Sequence, residues 1–200
     1  MRNTFDRFNG RHQDYQAARP SYAQKFLDWL GELYAPPERY TAADIGSGTG
    51  KLSAQLLAAG FRVCGVEPNP DMRGAAEALL GGDPRFSSSN GTDHDTGLPD
   101  RSVDMVAAAQ AFHWFDGPAF ARECRRILRP GGRAVLVWNV RGSAPMNQAL
   151  AQVFREHCPS FHGFTGGMGE DDPRIRDFFG GAYEKRRFPN PLTLDRDRFL

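Results

Sequence analysis

The chain has little cysteine, no excess of charge of either sign and no long apolar run. Its three cysteines, Cys64, Cys124 and Cys158, are odd in number and far apart, which argues against a disulfide framework and fits a reducing, cytoplasmic setting. Lysine and arginine number 25 against 24 acids, leaving a net charge of +1. That balance lacks the basic surplus on which phosphate-backbone binding draws, so no nucleic-acid partner is expected. No window approaches the ~18 consecutive apolar residues of a membrane span, and Met1–Gly10 holds no apolar core of a signal peptide. No membrane partner is expected either. Repeats and low-complexity tracts are missing as well. What remains is 200 residues, 40% of them hydrophobic, with glycine and proline together at 36 positions, below the range of disordered chains. One globular domain with a formed core and a pocket is the expectation.

From about residue 40 the sequence alternates short β-rich runs with amphipathic stretches, the pattern of an α/β domain. Strands are predicted at Tyr40–Ile45, Arg62–Glu67, Arg85–Asn90, Val103–Ala109 and Arg133–Asn139. The fourth and fifth are nearly continuous apolar runs, as parallel strands covered on both faces require. Helices are predicted at Lys51–Ala59, Asp71–Leu80 and Pro118–Leu128, closed by Gly60, Gly81-Gly82 and Pro130-Gly131. Upstream, Phe26, Leu27, Leu30 and Leu33 recur at helical spacing in Ser21–Leu33, with Ser21 placed as its cap. Downstream, Met146–His157 reads as a helix, residues 161–172 as a glycine-rich mobile loop, and Tyr183–Phe188 as a sixth strand ended by Pro189.

The segment with most chemical content is Ala43-Asp-Ile-Gly-Ser-Gly-Thr-Gly-Lys51, a strand passing through three alternate glycines into a helix. A P-loop needs glycine five positions before Gly50 and Ser or Thr after Lys51; Ile45 and Leu52 stand there. A dinucleotide fingerprint started at Gly46 would place its third glycine where Lys51 stands, a partial match. Glu67 follows at the end of the next strand, 21 residues after Gly46, the spacing at which an acid accepts hydrogen bonds from ribose hydroxyls, and a carboxylate suits a ribose without phosphate.

With its Asp-x-Gly-x-Gly-x-Gly loop, the chain resembles the class I S-adenosylmethionine-dependent methyltransferases. Further motifs follow in order: Gly65-Val-Glu-Pro-Asn-Pro-Asp-Met72, Gly97-Leu-Pro-Asp-Arg-Ser-Val-Asp104, Ala109-Gln-Ala-Phe-His-Trp-Phe-Asp116 and Arg126-Ile-Leu-Arg-Pro-Gly-Gly-Arg133, so that the likeness spans residues 43–139. Within the family it is most similar to the methyltransferase type 11 branch of small-molecule enzymes, including the trans-aconitate and ubiquinone-biosynthesis types. Tyr15-Gln-Ala-Ala-Arg-Pro-Ser-Tyr22 is similar to that branch's lead-in segment. The resemblance implies a three-layer α/β/α Rossmann-like fold with a mostly parallel sheet that relatives finish with antiparallel strands. A lead-in over 1–39 and a cofactor-binding domain over 40–200 are expected.

The resemblance also implies S-adenosylmethionine as cofactor and S-adenosylhomocysteine as product. Asp44, Gly46, Ser47, Gly48 and Gly50 would form the cofactor loop, Glu67 would meet the ribose, and Pro68 and Met72 would lie beside the adenine. Arg19 would pair with the cofactor carboxylate, and Gln110 would lie at the methyl-donor end. After the third strand the family carries an acid–Ala or Ala–acid pair, whereas this chain reads Gly91-Thr-Asp-His-Asp95; Asp93 is the candidate acceptor for the adenine amino group. Tyr15, Tyr22, His113 and Trp114 are candidates for the acceptor pocket, with His113 as a general base where the acceptor needs one. The segment after the fourth strand, Gln110-Ala-Phe-His113, lacks the signatures of base-modifying enzymes, so a small-molecule acceptor is expected. Two rivals stay open: a nicotinamide-dependent oxidoreductase on a similar sheet, and a non-enzymatic cofactor-binding module. The Arg122–Arg129 run reads as a solvated helix face. His157, Cys158 and His162 lack the spacing of a zinc site, and no metal is expected. Monomer and homodimer are both compatible with the sequence.

Overall fold

The computed structural model describes residues 20–140, 145–158 and 168–191. Tyr15, Arg19, His162 and positions 161–167 of the expected loop lie outside them. Helix α1 (Gln24–Leu33) leads into strand β1 (Thr41–Ile45), followed by α2 (Lys51–Ala58), β2 (Arg62–Val66), α3 (Pro70–Leu80), β3 (Phe86–Ser89) and β4 (Val103–Ala109). A 3₁₀ turn, Phe112–Trp114, precedes α4 (Gly117–Ile127), β5 (Leu128–Val137), α5 (Pro145–His157) and α6 (Pro173–Phe178). No described helix is long and apolar enough to cross a membrane.

All five strands are parallel, in the order β3-β2-β1-β4-β5. The chain winds outward from β1 to β3, then crosses back to set β4 on the other side of β1. The strand order therefore reverses between β1 and β4, where a crevice opens beyond the carboxyl ends of such sheets. Both central strands are buried on both faces, which explains their run of small and branched apolar residues. On one face Ala43, Ile45, Val66, Val106 and Ala108 pack against Phe120, Cys124 and Ile127 of α4 and Ile175 and Phe178 of α6. On the other, Ala42, Val63, Met105 and Ala107 meet Phe26, Leu27 and Leu30 of α1 and Leu52, Leu56 and Leu57 of α2. Helix α1 thus belongs to the same core as the sheet.

Several expectations are corrected. Helix α1 starts at Gln24 with Ala23 at its cap position and no side-chain cap. Ser21 instead offers its carbonyl to Asn190 Nδ2 at 2.8 Å. Pro130-Gly131 does not close a helix: α4 ends at Ile127, and Pro130, Gly131 and Gly132 lie inside β5. There the register against β4 shifts between Val103 and Met105. Gly131, at φ +80°, accommodates the bulge. Tyr183–Phe188 forms no strand. It runs as irregular chain, drawn onto α1 by Phe188, whose ring lies 5.9 Å from both Phe26 and Trp29. No antiparallel strand follows β5 among the described residues, leaving β5 at the sheet edge. At the far end of the expected mobile loop, Met168 is buried in the core, and Asp172 accepts from the Arg174 N–H to cap α6, a helix the sequence reading did not foresee.

Candidate functional site

The glycine loop leaves β1 at the crevice. Gly46, at φ +69°, donates its N–H to Val66 O at 2.9 Å, and Ser47 donates to the same oxygen at 3.1 Å, binding the loop to β2. A Cβ at Gly46 would lie 2.8 Å from Ala111 Cβ and 3.2 Å from Phe115 Cζ, so only glycine fits there. Gly48, at φ +56°, faces open space. Gly50, in the left-handed region at φ +80°, starts α2 and packs against Leu80 and Ala76 of α3.

Two carboxylates close the strands on either side of this loop. Asp44 is 1% exposed. Its Oδ2 accepts from Ser53 Oγ at 2.7 Å, while Oδ1 is buried with no hydrogen-bond partner. Burial pushes its carboxyl up to about 6; the Ser53 bonds act against this and the nearby Glu67 charge adds to it. Glu67 is also buried. Its Oε2 accepts from the Gly48 N–H and its Oε1 from the Asn69 N–H, both at 2.9 Å. Burial raises its carboxyl; the two backbone bonds and the Arg73 guanidinium pull the other way. Asn69 caps α3 through the Met72 N–H, with Pro70 in the first turn. Arg73 Nη1 reaches back to Glu67 O at 2.8 Å and Asn90 Oδ1 at 3.0 Å. Pro68 is half-buried beside Glu67, and Met72 is buried in the helix beneath.

On the other side of the crevice, Asp93 Oδ2 accepts from the Asp116 N–H at 2.9 Å, and His94 Nδ1 lies 3.1 Å from its Oδ1. Gln110 leaves β4 at φ +54°, a conformation uncommon for a side-chain-bearing residue. Its amide donates to Asn139 O at 3.1 Å. His113 and Trp114 follow in the 3₁₀ turn, their rings 4.9 Å apart and Trp114 47% exposed. Tyr22 exchanges backbone hydrogen bonds with the Gln55 amide of α2 at 2.9 and 3.0 Å, which places the end of the lead-in beside the helix that the glycine loop starts.

Asp44, Gly46, Ser47, Gly48, Gly50, Glu67 and Pro68 are thus gathered at the ends of β1 and β2, with Met72 beneath, while Gln110, His113 and Trp114 follow β4. Ser53, Asn69, Arg73 and Asn139 were missed as supporting residues. Asn69 had a readable signal, an asparagine directly before a proline at a helix start.

The family described as a methyltransferase domain matches residues 43–136. A solved structure described as a type II methyltransferase from Anaeromyxobacter dehalogenans is 33% identical, with a TM-score of 0.57, over 88% of this chain and 70% of that one. The chain belongs to the class I S-adenosylmethionine-dependent methyltransferases. A methyltransferase of Mycobacterium tuberculosis, described as uncharacterized, is 42% identical over 127 residues, 64% of this chain and 49% of the relative. One from Schizosaccharomyces pombe, described in the same way as methyltransferase-like, is 32% identical over 153 residues, 74% of this chain and 59% of the relative. The chain spans about half the length of these curated relatives. A structure described as a methyltransferase from an antibiotic biosynthesis pathway of Anabaena variabilis shares 25% identity at a TM-score of 0.62, over 83% of this chain and 63% of that one. Family and fold imply S-adenosylmethionine as the cofactor.

Proposed function

We propose that this methyltransferase chain binds S-adenosylmethionine across the ends of β1, β2 and β4 and transfers its methyl group to a small-molecule acceptor by in-line displacement. The observation that carries this reading is the pair of buried strand-end carboxylates, Asp44 and Glu67, on either side of a loop with glycine at every second position. Asp44 Oδ1 is a buried acceptor with no donor, a site for the cationic amino group of the cofactor's methionine end. Glu67 spends one lone pair of each oxygen on a backbone N–H. A carboxylate oxygen has a second, and these meet the two ribose hydroxyls. Gly48, which faces open space, lets the cofactor approach the backbone beside Ser47, while Gly46 and Gly50 hold the loop's shape by packing on Ala111 and Phe115 and on Leu80 and Ala76. Pro68, with Met72 behind it, offers an apolar face to the adenine, and Asp93 stands at its far edge. Arg19, outside the described residues, is the candidate partner for the cofactor's carboxylate, and Gln110 borders the methyl-donor end.

The cofactor's sulfonium supplies both the methyl group and the leaving group. The chain therefore needs no nucleophile of its own. Its work is alignment and the exclusion of water, and alignment alone is worth about 7–11 kcal/mol of barrier in favourable cases. Tyr22, His113 and Trp114 form the acceptor side, with Tyr15, outside the described residues, as a further candidate. A carboxylate acceptor reacts without a base; for a phenol, amine or carbon acid, His113 takes the proton. The three widely spaced cysteines support a reducing, cytoplasmic setting for this reaction.

Calorimetric titration of S-adenosylhomocysteine into wild type and Glu67→Ala, with NADH as control, tests this reading. Micromolar binding to wild type that Glu67→Ala loses, with no heat from NADH, is the expected result. Ligand at ~100 times Kd should also add about 2.7 kcal/mol of stability. Preferential binding of NADH would favour the oxidoreductase, and normal affinity without turnover on a broad acceptor panel the non-enzymatic module.

A further inference from the structure

The β3–β4 connection is held on helix α4 by side chains with no place in the glycine loop or the His113 turn. Thr96 is fully buried, and its N–H and hydroxyl both donate to Glu123 Oε1, at 3.0 and 2.6 Å. Glu123, 6% exposed, also accepts from Arg126, from Nε to Oε2 at 2.8 Å and from Nη2 to Oε1 at 2.7 Å. Arg126 Nη1 then reaches Asp100, farther along the same connection, at 2.7 Å. Burial acts to raise the Glu123 carboxyl, but the bonds from Arg126 and Thr96 outweigh it and draw it down to about 2. The clamp is therefore charged throughout the neutral range. Two helical turns back along α4, Asp93 holds the Asp116 N–H. Around these anchors the chain folds back closely on itself. A Cβ on Gly91 would lie 2.5 Å from Thr96 O, and the Thr92 N–H bonds Asp95 O at 2.8 Å.

We propose that Glu123 is a positioning residue for the adenine end of the cofactor: by seating Thr96 on α4 it sets where residues 91–95 stand. This rests on the reading above, in which the adenine lies against that loop. None of the clamp's atoms needs to touch the cofactor. Its effect is to keep Asp93 and the neighbouring backbone within hydrogen-bonding range of the ring before the cofactor arrives, so that binding does not have to order the loop.

The test titrates S-adenosylhomocysteine and adenosine separately into wild type, Glu123→Gln, Thr96→Val and Thr96→Ser, each held well below its own unfolding temperature. Glu123→Gln and Thr96→Val should bind both ligands about tenfold more weakly at unchanged stoichiometry, the effect of one supporting buried hydrogen bond. Thr96→Ser keeps both donors and should bind as wild type does. A variant that was only less stable would lose binding-competent protein and keep its Kd. Wild-type Kd values in both weakened variants would overturn the proposal, as would a loss seen with S-adenosylhomocysteine but not with adenosine. Should Glu123→Gln not fold, the Thr96 pair decides alone. A wild-type protein that binds neither ligand refutes the cofactor reading, and the proposal with it.

Discussion

The carboxyl ends of β1 and β2 and the carboxyl ends of β4 and β5 face the same crevice but are built in opposite ways. The first pair is held by backbone. The Gly46, Ser47 and Gly48 amides are all spent on β2 or on Glu67, and both acids are buried. The second pair ends in side chains that reach outward, with Trp114 47% and Val140 49% exposed. Under the proposed function, a cofactor of one fixed shape suits the first arrangement, and an acceptor that arrives from solvent suits the second.

That contrast can be broken at the residue where it is sharpest. Gly46→Ala forces a side chain into a positive φ and against Ala111 and Phe115. Strain and overpacking together should cost about 3–5 kcal/mol, read in urea as a lower midpoint at unchanged slope. Asp44 should give the next effect, one tied to pH. Its carboxyl rises from an ordinary 3.8 to about 6 in the folded chain, so the folded state holds the proton more tightly than the unfolded state does. Its contribution to stability therefore falls as pH rises from about 4 to about 6, by about 3 kcal/mol at most, and Asp44→Asn should flatten that slope. Under the proposed function the cofactor's ammonium favours the ionised form, so S-adenosylhomocysteine should bind more tightly as pH rises from 5 to 7. Gly48→Ala meets nothing within 4 Å and should cost only about 1 kcal/mol, for its φ alone. Trp114→Ala sharpens the comparison from the other side. Stability should move by no more than about 0.5 kcal/mol and S-adenosylhomocysteine affinity not at all, while turnover on an acceptor falls. A loss of cofactor affinity in that variant would erase the distinction between the two regions.

The same division separates what could be read in the sequence from what could not. The strand-loop-helix passage at Asp44–Lys51 and the spacing to Glu67 are local patterns with local causes, and the first four strands stand within a residue or so of where apolar runs and stop residues put them, while β5 starts at Leu128, five residues before the expected Arg133. Pro130 and Gly131 looked like a helix stop, yet the chain had already left the helix at Leu128 and uses them for a bulge against β4. Tyr183–Phe188 has strand composition, but Phe188 finds a better seat between Phe26 and Trp29 than an open edge would give it. The Ser53 bond to Asp44 and the Glu123 bonds to Thr96 join residues whose nearness depends on the finished fold, and no periodicity announces them.

Asn139 makes one such long-range junction. It donates to Pro20 O and Ser21 O across 119 and 118 positions, and Asn190 donates to Ser21 O across 169. Contacts this far apart in sequence close large loops and carry a high entropic cost before they return anything. The core of β1, β2 and α2 needs no such closure and should form while this junction is still open. Loosening the junction, as in Asn139→Ala, should therefore quicken unfolding and leave the folding rate nearly unchanged. The stretch at Pro20 and Ser21, beside the site, should thus be fastened after the core behind it and come undone before it.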